Sequence, residues 1–95
     1  MAINKEEYLS ALVAFQQVFC SKYPHTQASI FVQESYQAIT KAEGVAFTGA
    51  VQQFADKITI HLFSEKIHLS QSERALLDKV LSFKQLGNNL VGLHL

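Results

Sequence analysis

Four successive segments of the chain carry apolar residues at helical spacing, and only short connections separate them. Amphipathic helices so closely joined fold back on one another, so the pattern predicts an all-α, antiparallel up-down four-helix bundle. The expected helices cover about 4–22, 26–43, 47–65 and 70–87, followed by a short C-terminal tail. With 95 residues there is material for one domain and one core, but not for a deep active-site cleft as well. One Pro and four Gly suit long helices with short turns better than a β-sandwich. No internal repeat, low-complexity tract or second domain interrupts the pattern.

In the first helix Asn4 is the expected N-cap, with Glu7 completing a capping box and Ile3 and Tyr8 at the spacing of a hydrophobic staple. Tyr8, Leu12, Phe15 and Phe19 then recur on one face. Pro24 closes this helix, because its ring disfavours a helical Tyr23 and it has no backbone N–H to donate. The second helix begins near Thr26 and turns Ala28, Phe31, Val32, Ser35, Ile39 and Ala42 to one side, with Ile30 pointing away. Gly44 is its expected stop, since glycine reaches the left-handed conformation without a Cβ clash.

The third segment is the ambiguous one. Lys57 to Leu62 alternates polar and apolar residues and is rich in β-branching, which suits a strand. A hairpin there would have to turn at Ser64-Glu65, a pair without the Gly or Asn that tight hairpin turns need. The helical template captures Phe47, Val51, Phe54, Ala55, Ile58 and Leu62 as one face, so the helix is preferred. Ile60 and Phe63 fall on the opposite side. The fourth helix or the tail is expected to cover them, with an exposed contact site as the alternative. The fourth helix opens with an S-x-x-E capping box, Ser70 and Glu73, and carries Leu76, Leu77, Val80, Leu81 and Phe83 on a broad apolar face. Arg74 and Asp78 stand at i, i+4 on the solvated face. Gly87-Asn88-Asn89 is its expected end.

Little in the sequence carries chemistry. Eight basic residues balance eight acidic ones, so nucleic acid is not an expected partner. Cys20 is the single cysteine and reads as a reduced core or boundary residue with nothing beside it to activate a thiolate. His61, Glu65 and His68 are close in sequence, but three or four converging ligands in a recognised spacing are missing, so no metal or other cofactor is expected. No Gly-rich phosphate loop or nucleophile–base pair is present. The N-terminus lacks a basic-apolar signal, and no run approaches the roughly 18 apolar residues of a membrane span. The expected protein is cytoplasmic, not an enzyme, and acts by binding. The surface left for this is Ile60, Phe63, the connection Lys66–Leu69, the outer face of the fourth helix and the tail.

The segment FADKITIHLFSEKIHLSQSERALLDKVL resembles the immunity proteins of pediocin-like (class IIa) bacteriocins, the enterocin A immunity family. The resemblance lies in an apolar helix, a short K-[IL]-x-[FL]-[ST] connection, here Lys66-Ile67-His68-Leu69-Ser70, and a polar-capped, leucine-bearing last helix. It is best over about residues 51–86, and earlier it extends only to length and helix count.

The resemblance implies a non-enzymatic protein that protects a Gram-positive bacterium from a pore-forming peptide. It would associate, from the cytoplasmic side, with the mannose phosphotransferase permease that the bacteriocin uses as receptor. It implies that specificity resides in the helix-three/helix-four hairpin and the tail, which here means His61, Phe63, Lys66, His68, Arg74, Lys79, Gln85, Leu90 and Val91. Peripheral contact with the inner face of the membrane and a monomer or weak homodimer fit the same picture. From the residues alone, a small helical adaptor or regulator without immunity activity is the other reading.

Overall fold

In the computed structural model the backbone is described for residues 4–92 and the side chains for residues 4–83. Four helices follow in order: α1 (Lys5–Lys22), α2 (Gln27–Lys41), α3 (Gly44–Ser64) and α4 (Gln71–Gly92). Three of them, α1, α2 and α4, start where a side chain supplies a partner for orphaned backbone donors, while α3 begins at Gly44 without a side-chain cap. Asn4 Oδ1 accepts from the Glu7 amide at 3.0 Å, and Thr26 Oγ1 accepts from the Ser29 amide at 3.0 Å. The Ser70–Glu73 box is closed in both directions: the Ser70 amide donates to Glu73 Oε1 at 2.8 Å and the Glu73 amide to Ser70 Oγ at 3.2 Å.

Contacts at the two ends set the direction of the helices. Lys5 Nζ, at the start of α1, donates to the Ala42 carbonyl at 2.7 Å and pairs with Glu43 at 2.9 Å, just before α3. The Tyr8 ring meets Phe47 and Phe83 edge-on, at 5.9 and 5.3 Å. At the other end Lys22 of α1 pairs with Glu73 of α4, and the Glu65 carboxylate, just past α3, accepts from the first amides of α2. Successive helices therefore run antiparallel, and α4 returns beside α1 to close the ring. This is the four-helix bundle that the spacing predicts.

Tyr8, Leu12, Phe15 and Phe19 are completely buried on α1, where they meet Ala28, Val32 and Ile39 of α2, Val51, Phe54 and Ile58 of α3, and Leu77 and Val80 of α4. Burying each large apolar side chain contributes about 1.5–3 kcal/mol, so the shared core, rather than helix propensity, holds the bundle. Ile58 and Leu62 are buried while Ile60 is exposed. That alternation resembles a strand, but 58 and 62 are also one helical turn apart. Phe54, Val51 and Phe47 extend the same buried face by 3.6-residue steps, and the segment is helical.

Three expectations are corrected. Gly44 does not stop the second helix, which ends at Lys41 with Ala42 as its cap. Gly44 does take the left-handed conformation, at φ +58°, but as the first residue of α3, which therefore starts three residues before the expected 47. The fourth helix does not end at Gly87-Asn88-Asn89 but runs to Gly92, replacing most of the expected tail. A glycine inside a helix costs only about 1 kcal/mol, and Phe83, Leu86 and Leu90 continue the helical spacing through it. Finally, Ile60 and Phe63 are uncovered, at 64% and 85% exposure. The fourth helix packs on the Ile58–Leu62 stripe, and in an α-helix residues 60 and 63 project away from that face. Ile3 of the expected staple and the last three residues, 93–95, lie outside the described residues.

Candidate functional site

The turn from α3 into α4 is a Schellman motif. The Lys66 amide donates to the Phe63 carbonyl at 3.1 Å and the Ile67 amide to the Leu62 carbonyl at 2.9 Å. Leu62 and Ile67 occupy the two positions whose side chains usually touch in this motif. The residue immediately before Ile67 must adopt positive φ, a place normally taken by glycine. Here it is Lys66, at φ +57°, where a Cβ costs an L-residue about 1–2 kcal/mol.

Two carboxylates brace this end of the bundle. Glu65 accepts from the Gln27 amide at 3.0 Å and the Ala28 amide at 2.6 Å, so it caps α2 from across the bundle with negative charge at the positive end of the helix. Glu73 is 4% exposed and pairs through Oε2 with Lys22 Nζ at 3.0 Å. The Ser70 amide, followed by the Lys22 ammonium, holds the Glu73 carboxyl below the usual glutamate value against the opposing effect of burial. Glu73 in turn raises Lys22. Tyr23 reaches the connection as well, its hydroxyl donating to the His68 carbonyl at 3.5 Å.

At this turn lies an open groove of about 280 Å³. Leu62, Phe63 and Ile67 supply the apolar part of its lining, and Lys66 and Arg74 supply two cations. Thr59 and His68 complete the lining, which contains no carboxylate. Lys5–Glu43 and Lys22–Glu73 are ion pairs, and among the described residues neither Lys66 nor Arg74 is drawn into one. Ile60 continues the exposed apolar surface one turn before Phe63.

Of the residues implied by the family resemblance, Phe63, Lys66, His68 and Arg74 are thus brought together. His61 is not. Its ring stacks on Phe31 at 4.5 Å, on the α2 side of α3, and Phe31 stacks in parallel on Phe54. Lys79 lines a separate cleft with Glu7, Ser10 and Phe83, against α1. The side chains of Gln85, Leu90 and Val91 lie outside the described residues. Leu62 and Thr59 were missed by sequence reasoning, and Ile67 entered it only as part of the connection Lys66–Leu69. Leu62 and Ile67 were legible as the apolar pair, five apart, that flanks a Schellman turn, but a lysine in the glycine position hides the motif.

The same geometry bears on the other chemistries. Both oxygens of Glu65 are taken by α2 amides, and His61 lies flat on Phe31. Among the described residues no group of three His, Cys, Asp or Glu side chains is placed to hold a metal ion. Cys20 is a half-buried boundary residue whose Sγ lies 3.7 Å from the Ser29 carbonyl. Among the described residues no helix is long and apolar enough to cross a membrane. No protein-family model matches the chain, and no curated protein or solved structure matches it significantly.

Proposed function

We propose that this protein gives a Gram-positive cell immunity to a pore-forming class IIa bacteriocin. It acts without catalysis from the cytoplasm, by contact with the mannose phosphotransferase permease in its complex with the bacteriocin. The observation that carries this reading is the coincidence of two surfaces. The hairpin on which the family resemblance is best, about residues 51–86, also bears the exposed Phe63 and the groove that Lys66 and Arg74 help to line. The helix caps and ion pairs elsewhere tie the bundle together, which suits a rigid scaffold that presents one hairpin.

Expression of the chain in a sensitive strain tests the reading. Survival against at least one member of a panel of class IIa bacteriocins is expected to rise, and Phe63→Ser with Arg74→Glu to abolish the protection while the protein stays folded. Unchanged sensitivity across the panel would sink it.

A second reading, an adaptor that dimerises through the Ile60/Phe63 face, is favoured by the 85% exposure of a phenylalanine. Sedimentation at micromolar concentration separates the two. A dimer lost on Phe63→Ser supports the adaptor, and a monomer throughout removes it.

A further inference from the structure

The groove at the α3–α4 turn is lined by two chemically unlike sets of side chains. Leu62, Phe63 and Ile67 contribute apolar lining, and Lys66 and Arg74 contribute two cations with no carboxylate among the lining residues. Elsewhere among the described residues, Lys5 and Lys22 each reach a glutamate on another element and tie the bundle together. Lys66 and Arg74 tie nothing.

Lys66 is the more telling of the two. Its φ of +57° is the conformation for which a Schellman turn favours glycine. Stability alone would therefore place glycine here, and the chain instead keeps a cation in the lining of the groove. Strain held at such a position points to a role outside folding. The volume, about 280 Å³, lies at the lower edge of the roughly 300–1,000 Å³ of small-molecule sites. It accommodates anchoring side chains of a docked segment better than a whole cofactor.

We infer that this groove takes an acidic, apolar-anchored peptide segment of a partner protein. A bulky aliphatic or aromatic side chain seats against Leu62, Phe63 and Ile67, and a neighbouring carboxylate is held between Lys66 and Arg74. Arginine supplies a planar fork for the carboxylate and lysine a mobile point charge. The inference rests on reading the hairpin as the contact surface, and it names the chemistry of what that surface contacts.

Selection of a phage-displayed random peptide library against the full chain tests it. The enriched peptides are expected to share an Asp or Glu within about four positions of a large apolar residue. Replacing that acid by its amide is expected to weaken the selected peptide at least about tenfold, as is the Lys66→Glu/Arg74→Glu pair in the protein. Lys66→Gly is expected to weaken binding without lowering the melting temperature, which separates lost recognition from lost folding.

Enriched peptides without an acid, undiminished binding by the charge-reversed protein, or no enrichment at all would each overturn the inference. So would binding of phosphatidylglycerol vesicles, abolished by the charge reversal, with no peptide enriched; the groove would then belong to a lipid surface. Cells protected from bacteriocin by a protein that selects no acidic peptide would remove this inference alone. An acidic consensus in a protein that protects no cell would remove the immunity reading and leave the groove's chemistry standing.

Discussion

Glu73 holds Lys22 Nζ at 3.0 Å with one carboxylate oxygen and the Ser70 amide at 2.8 Å with the other. A single side chain therefore starts α4 and fastens that start to the end of α1, immediately beside the candidate groove. Glu73→Ala removes the cap and the pair together and is expected to destabilise the protein by about 1–3 kcal/mol. Glu73→Gln keeps an acceptor for the Ser70 amide and is expected to lose less. Urea denaturation of the two variants checks the order.

The same carboxylate makes stability pH-dependent with a determined sign. Its folded pKa lies below the model-compound value of 4.5, so the folded state favours the ionised form. The stabilisation is fully present above about 4.5 and is lost as pH falls through the lowered folded value. The stability gap between wild type and Glu73→Ala is expected to be constant near neutrality and to narrow on acidification below that point. A gap that widens on acidification would contradict the assignment. Lys22 is raised, so its share is present below 10.5 and lost only in stronger alkali.

Lys66 and Gly44 have nearly the same positive φ, +57° and +58°, and opposite expected responses. Lys66→Gly removes Cβ strain, offset in part by the greater freedom of glycine in the unfolded chain, and is expected to stabilise by roughly 0.5–1 kcal/mol. Gly44→Ala introduces the strain and is expected to destabilise by about 1 kcal/mol or more, although nothing lies within 4 Å of the added Cβ. Thermal melts of both variants under identical conditions give the two signs.

The Tyr8 hydroxyl is buried without a hydrogen-bond partner, and burial drives its pKa well above the ordinary tyrosine value. Its ring is already held edge-on by Phe47 and Phe83. Tyr8→Phe keeps those contacts and removes a desolvated polar group, so it is expected to be neutral or stabilising by up to about 1 kcal/mol. Tyr8→Ala, which opens a core cavity, is expected to cost about 3–5 kcal/mol. A clear loss of stability in Tyr8→Phe would reveal a partner for the hydroxyl.

The features legible in advance are those fixed within a few residues along the chain. Asn4, Thr26 and the Ser70–Glu73 pair cap helices because their side chains reach amides three residues away. The Tyr8–Leu12–Phe15–Phe19 stripe is buried because helical geometry alone puts it on one face. Four such stripes with short breaks sufficed for the bundle and for placing Ile60 and Phe63 opposite the core face of the third helix, but not for showing that they stay uncovered.

What depended on distant partners was decided only by the tertiary structure. Glu65 has the spacing of a ligand to His61, yet it is spent on the amides of α2, 37 and 38 residues away. His61 belongs to the hairpin in sequence, but Phe31 draws its ring to the far side of α3. Gly44 and Gly87 have the composition of helix ends, but one opens a helix and the other lies inside one, because neighbouring apolar spacing outweighs a penalty of about 1 kcal/mol. Phe63, Lys66 and Arg74 face one groove because the turn at Lys66 brings the end of α3 over the start of α4. Periodicity assigns each residue a face of its own helix, and only the packing of one helix on the next determines which faces meet.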